Sequence, residues 1–214
     1  FGCENKARIK MLAPADGLEG NDLVAYYELK AQIEKVAAGE RQSTEFSLPF
    51  STFGELKELY PSDLGVDASS EDLLQRMKDA GLERYSFDCT AVINALLADC
   101  PYSLYWFDKT AGYSWGYSWS YSYSDNGSSS FIKLSSSSAW TVRMYVEQIY
   151  SSSGAKKTYT MASALPATVG KAVQNAKDVV SSHAGESLTN RLQSYMTYIC
   201  DAVEYDNDAD RKST

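Results

Sequence analysis

Between Tyr113 and Ser124 the chain reads Tyr-Ser-Trp-Gly-Tyr-Ser-Trp-Ser-Tyr-Ser-Tyr-Ser. The odd positions, Tyr113, Trp115, Tyr117, Trp119, Tyr121 and Tyr123, are all aromatic, and every even position is Ser or Gly. A strand sends successive side chains to opposite faces, so an extended chain here carries one aromatic face and one small, polar face. At helical spacing the same rings would scatter around the axis, and the period therefore predicts a strand. Asp125-Asn126-Gly127 follows, and Asn-Gly supplies the positive φ angles of a tight hairpin turn. Phe131 to Leu134 is the expected return strand, and Trp140 to Tyr145 is apolar and β-branched enough for a third. The expectation is an antiparallel meander of three strands or slightly more. Its apolar face is either covered by helices or is itself a binding surface.

Helical periodicity surrounds this meander. Asn21 or Asp22 is placed to cap a helix running to about Ala38, with Tyr26, Leu29, Ile33 and Val36 on one stripe and Gly39 at its end. Thr44 to Leu48 reads as a short strand, and Phe53 to Tyr60 as a helical turn stopped by Pro61. Ser69 or Ser70 starts a second helix carrying Leu73, Leu74 and Met77 and closed by Gly81. Asp88 caps a third, with Ala91, Val92, Ala95 and Leu96 as its stripe and Pro101 beyond its end. A helix from Thr168 repeats Val169, Ala172, Val173, Ala176, Val179 and Val180 at threes and fours until Gly185. A last helix, from about Glu186 to Glu204, carries Leu188, Leu192, Tyr195 and Ile199. Helices, then strands, then helices predict an α+β domain, with helices packed on one face of an antiparallel sheet. The expected organisation is a lead-in over 1–20, one domain over 21–205 and a polar tail over 206–214. Leu96, Val173, Val180, Leu192 and Ile199 are the expected core. Tyr117 and Trp119, central in the aromatic strand, are expected to be nearly inaccessible, and Trp115 and Tyr123 partly exposed.

Charge narrows the function classes. The chain carries a net charge of −8 with a pI near 4.7, which argues against nucleic acid and anionic membrane surfaces as partners. No apolar run is long enough to span a bilayer. The sequence begins at Phe1 and shows no signal peptide, which reads as a processed or excised piece. Cys3, Cys89, Cys100 and Cys200 are scattered, without the C-x-x-C spacing of a zinc site. Cys89 and Cys100 on one helix would stand roughly 16 Å apart, too far to bridge. The expected state is buried thiols acting as small apolar residues. Cys3 after Phe-Gly resembles, faintly, the Gly-Cys of a lipoprotein cleavage site.

A search for chemistry finds little. The single histidine, His183, sits before Gly185 at a helix end, where a solvated or dipole-paired role is expected rather than a catalytic one. No cysteine or serine has the partner histidine that nucleophilic catalysis needs. P-loop, dinucleotide and H-E-x-x-H patterns are lacking, so no cofactor is expected. Asp201, Glu204, Asp206, Asp208 and Asp210 lack the central Gly and closing Glu of a calcium loop, so no metal is expected. What remains is the aromatic strand. Its bland role is the core face of a half-buried strand. Its sharper role is a ligand-stacking platform for sugars, formed by Trp115, Tyr117, Trp119 and Tyr121.

Two segments carry a resemblance. Ala95-Leu96-Leu97-Ala98-Asp99-Cys100-Pro101-Tyr102-Ser103-Leu104-Tyr105-Trp106 resembles the "A-L-L-x-D-x-P-E-L-F-W" line upstream of the catalytic core in bacterial secreted transglutaminase-like proteins, where a Tyr- and Ser-rich strand also follows. Tyr198-Ile199-Cys200-Asp201-Ala202-Val203-Glu204-Tyr205-Asp206 resembles the "I-x-x-x-V-x-Y-D" helix end that leads into that core. The likeness covers roughly residues 22–210 in order and spacing. Cys100 departs from the usual His or Asn, and Tyr102-Ser103 from the usual continuation. The resemblance implies a non-catalytic amino-terminal region of an extracellular or cell-surface bacterial protein, partnered by a downstream catalytic domain. The family's Cys, His and Asp motifs do not occur before Thr214, so no catalytic residue carries over. A free-standing module binding cell-wall glycan is the alternative, and a cysteine enzyme in its own right is the third.

Overall fold

The computed structural model describes residues 14–125 and 129–202. The fold is α+β: α-helices with two three-stranded antiparallel sheets. The chain divides into two compact units, 1–163 and 164–214.

In the first unit, α1 (Gly20–Ala37) buries Tyr26, Leu29, Ile33 and Val36, the predicted stripe, together with Ala25. Its Asn21 and Asp22 do not cap the helix. The Asn21 side-chain amide donates to the Arg84 and Ser86 carbonyls, and Asp22 accepts from the Asp88 N–H, which ties α1 to residues 84–88. The second helix, α2, spans Leu73–Arg84, so Gly81 lies inside it and does not end it. The reason is a close approach: a Cβ on Gly81 would stand 2.9 Å from Ile132 Cδ1. The third, α3 (Cys89–Asp99), starts as predicted, with Asp88 Oδ1 accepting the Ala91 N–H at 3.0 Å.

The strands are β1 (Glu45–Pro49), β2 (Glu58–Leu59), β3 (Tyr113–Ser118), β4 (Tyr121–Asp125), β5 (Ser130–Leu134) and β6 (Ala139–Met144). Phe53 to Tyr60, expected as a helical turn, instead contains β2, and a 3₁₀ turn precedes it at Phe50–Thr52. One sheet runs in the order β1-β6-β3 and the other β2-β5-β4. The aromatic stretch is thus two strands separated by Trp119 and Ser120. Its return is also two strands, separated by Ser135 to Ser138. Two residues on one side face four on the other, and a ladder with unequal insertions bends there. The result is a bent two-stranded ribbon, with β1 added beside one half and β2 beside the other. The Trp140–Met144 strand therefore pairs with the aromatic strand itself. Asn126 and Gly127, the predicted turn, lie outside the described residues.

The core lies on one side of the ribbon. Phe46 and Leu48 of β1, Trp140, Val142 and Met144 of β6, Ile132 and Leu134 of β5 and Leu59 of β2 all point into it. They meet α1, α3 with Val92, Ile93 and Leu96, and α2 with Met77. Leu96 is fully buried, as expected.

In the second unit, α4 (Leu165–Ser182) and α5 (Leu188–Ala202) pack on each other. Val180, Leu192 and Ile199, expected in the core, are 53%, 53% and 57% exposed, and Leu188 and Met196 are exposed as well. Val173 is exposed only in part. The periodicity correctly gave an amphipathic pair, but two helices alone bury only the seam between them.

Candidate functional site

The ring-bearing edge of the ribbon is built around Trp140. Its indole lies between Phe50 and Phe87, with ring centroids 5.8 Å away in each case. Its Nε1–H donates to the Tyr85 carbonyl at 2.7 Å. Phe50 stacks in turn on Tyr85, and Phe53 on Phe87. Register places Tyr117 directly opposite Trp140 and Trp115 opposite Val142. Both rings consequently share the core-facing side of the sheet and contact the Trp140 indole, at 5.4 Å for Trp115 and 4.9 Å for Tyr117.

Facing the core side does not bury them. Helix α1 lies on β1 and α2 on β5, while β3 is an edge strand beyond that cover. Trp115 and Tyr117 are each 49% exposed. The expected inaccessibility of Tyr117 is thus overturned, and Trp115 is partly exposed as expected. Trp119, also expected to be nearly inaccessible, is instead only intermediate in burial, at the bend, with its ring 5.3 Å from that of Tyr121. Tyr121 is intermediate too, with the Lys78 ammonium 5.4 Å from its centroid. Tyr123 is exposed. Beside Tyr121 the bend opens into a shallow cavity of about 470 Å³, lined by Leu56, Lys133 and a row of serines including Ser120, Ser122 and Ser135. The four candidate stacking residues therefore form two pairs: half-exposed Trp115 and Tyr117 on the pedestal, and more covered Trp119 and Tyr121 beside the serine-lined cavity. Such a surface offers apolar ring faces together with hydroxyl donors and acceptors.

The cysteines behave as thiols. Cys89 and Cys100 are buried and unbridged, and Cys200 is exposed. Burial pushes the Cys89 thiol up to about 12 and raises that of Cys100. A thiol needs the opposite shift to become a nucleophile near neutral pH. Cys3 lies outside the described residues. His183 closes α4, where its Nδ1 is 2.7 Å from Glu186 Oε1 and its ring meets Tyr195 edge-on. No group of three or more metal-ligating side chains gathers among the described residues. Asp201 is exposed, and Glu204, Asp206, Asp208 and Asp210 lie outside the described residues.

The segment from Ala95 to Trp106 has a structural task that sequence reading did not isolate. Asp99 accepts hydrogen bonds from the Tyr26 hydroxyl and, at 3.1 Å, from Lys30 Nζ. Burial and the carboxylate together push the Tyr26 hydroxyl up to about 12, and the carboxylate raises Lys30 as well. The Tyr26 and Lys30 hydrogen bonds lower Asp99. Leu104 and Trp106 are buried, Trp106 completely. The cluster locks α1 to the end of α3. The signal available in the sequence was the Tyr26/Lys30 spacing of one helical turn, which puts both side chains on one face.

No protein-family model, no curated protein and no solved structure matches the chain. No helix among the described residues is long and apolar enough to cross a membrane.

Proposed function

We propose that this chain is the non-catalytic, amino-terminal accessory region of an extracellular bacterial transglutaminase-like protein. The observation that carries the reading is the apolar stripe of α5. Leu188, Leu192, Met196 and Ile199 recur at helical spacing and are all exposed. An apolar helix face of that size calls for a partner surface. In the resemblance, the segment Tyr198 to Asp206, which begins within α5, leads into the catalytic core, so the core is the surface that covers the stripe. The protonated, buried states of Cys89 and Cys100 fit an accessory role and argue against nucleophilic work by either. Asp99 and Trp106 fit it too, since both serve packing. Reading the coding sequence past Thr214 tests the proposal. A Cys, a His and an Asp in the family's order support it, and a stop codon at that point sinks it.

A second reading rests on a different observation, the half-exposed Trp115 and Tyr117 on their aromatic pedestal. Under it the domain is a module that takes up cell-wall glycan by stacking sugar rings on these side chains, with the neighbouring serines meeting the hydroxyls. Titration with soluble peptidoglycan fragments, followed by tryptophan emission, checks it. Binding lost in Trp115→Ala while the fold is kept supports the platform. Absence of binding by the parent protein refutes it.

A further inference from the structure

Among the described residues, the backbone of β3 is paired on one side only. Tyr145 N–H donates to the Gly112 carbonyl, while Met144 N–H donates to Thr44 and Phe50 N–H to the Ser138 carbonyl. Alternate residues of β6 therefore bond alternately to β3 and to β1. With the observed register, Ser114, Gly116 and Ser118 turn their amides and carbonyls inward to β6. Tyr113, Trp115 and Tyr117 turn theirs outward, where no strand among the described residues pairs with them. The same parity continues past the bend, because Ser135 N–H donates to the Ser120 carbonyl.

Edge strands are ordinarily guarded by charge, proline or a bulge. Residues 113–118 contain none of these guards. We propose that β3 is a strand-addition site and that its occupant is a second copy of this chain, paired antiparallel about a two-fold axis at Trp115.

The sequence of β3 meets the demands of such a pairing. With the axis at Trp115, Tyr113 of one protomer faces Tyr117 of its partner, and the two Trp115 residues face each other. Every outward-pointing amide then exchanges bonds with an outward-pointing amide, giving about six backbone hydrogen bonds. The opposing rings lie on one face, where cross-strand aromatic pairs are favourable. On the other face Ser114 meets Gly116 of the partner, so no bulky groups collide. The joined sheets would run β1-β6-β3-β3-β6-β1 without a break.

The area sets the affinity. A Trp or Tyr covers about 150–250 Å² when buried, so removing the exposed halves of two rings in each of two copies withdraws about 400 Å². Adding the strand backbones leaves the contact in the weak class, under about 1,200 Å². The expected Kd lies between about 10 µM and 1 mM. Each copy carries −8, so screening by salt should strengthen the pairing.

Sedimentation velocity on the 214-residue chain, from about 5 µM to 1 mM, tests the proposal. The sedimenting mass should rise from that of the monomer toward twice that value, and more steeply at higher salt. Trp115→Pro removes an outward N–H without touching the β6 ladder, and it should hold the protein monomeric. Trp115→Ala keeps the N–H and should weaken the dimer only in part. Trp115→Lys, a guarded edge that leaves the backbone intact, should also give monomer, and it covers the case in which the proline variant fails to fold. A parent protein that stays monomeric at about 1 mM overturns the proposal. So does a dimer that survives Trp115→Lys, or one dissolved by Leu192→Glu on the helix stripe instead.

Discussion

Trp140 holds the aromatic edge in place, and Trp140→Phe measures how firmly. The indole is 4% exposed, and its N–H is the partner of the Tyr85 carbonyl at 2.7 Å. Phenylalanine cannot donate, so that buried carbonyl loses its bond, at a cost of about 1–3 kcal/mol. The missing part of the indole leaves a void between Phe50 and Phe87, which adds about 1–2 kcal/mol by comparison with other buried large-to-small changes. The expected total is about 2–5 kcal/mol, a large share of the roughly 5–15 kcal/mol that holds a domain together. Urea unfolding followed by far-UV circular dichroism reads this directly. At a mid-range slope of about 2 kcal/mol/M the midpoint should fall by about 1–2.5 M. Trp115→Phe is the control, because that half-exposed ring makes no side-chain hydrogen bond among the described residues, and its change should cost under about 1 kcal/mol. A Trp140→Phe loss below about 0.5 kcal/mol, or a larger loss in the Trp115 control, would refute the pedestal argument.

Other consequences are equally direct. Gly81→Ala gains helix propensity but drives its new methyl into Ile132 Cδ1 at 2.9 Å, so a net loss of about 1–2 kcal/mol is expected. Adding Ile132→Val, which removes that atom, should make the double variant more stable than the sum of the single changes, as a thermal-melt cycle would show. Leu192→Ala should cost under about 1 kcal/mol and Leu96→Ala about 2–5 kcal/mol, and equal losses in denaturant melts would contradict the burial assignment. Asp99 is lowered by the Tyr26 and Lys30 hydrogen bonds, so its contribution is present above the ordinary carboxylate pKa of about 4 and is lost as pH falls through its folded value. Tyr26 and Lys30 are raised, so theirs is full below about pH 10 and declines as pH rises, for Tyr26 toward 12. Asp99→Asn should flatten the acid limb of a stability–pH curve, and an unchanged limb would exclude the cluster as its source. In a Cys3→Ser background, a thiol reagent should label Cys200 in the folded protein within seconds to minutes and leave Cys89 and Cys100 unlabelled until denaturant is added.

Local signals were read correctly wherever a residue's neighbours in sequence decide its structure. The stripe of Tyr26, Leu29, Ile33 and Val36, the Asp88 cap and the period of the aromatic strand are all of that kind. The failures share one cause, which is a partner distant in sequence. Gly81 reads as a stop because glycine weakens helices, but it lies inside α2 because Ile132 stands against it. The bend at Trp119 and Ser120 leaves the alternation of rings intact, so no break in period marks it. It is written instead in the opposite strand, in Ser135 to Ser138, and shows only once the two are paired. On α5, spacing specified which residues share a face, and it cannot specify what that face meets.

The aromatic strand shows the limit most sharply. Period two requires Trp115 and Tyr117 to share the face of Trp140, and they do. Whether that face is covered depends on the strand's place in the sheet. The place is set by β1, which takes the far side of β6 through residues more than sixty positions upstream. With β1 seated there, α1 lies over β1 and α2 over β5, and β3 is left at the rim. Rim position exposes half of each ring, and the same position leaves the outward amides unpaired. Parity makes these the same residues, since Tyr113, Trp115 and Tyr117 carry both the rings and the N–H and C=O groups that no strand among the described residues takes up. A change at Trp115 therefore acts on ring surface and backbone together, as proline does, unless it is chosen to separate them, as alanine is by removing the ring and keeping the N–H.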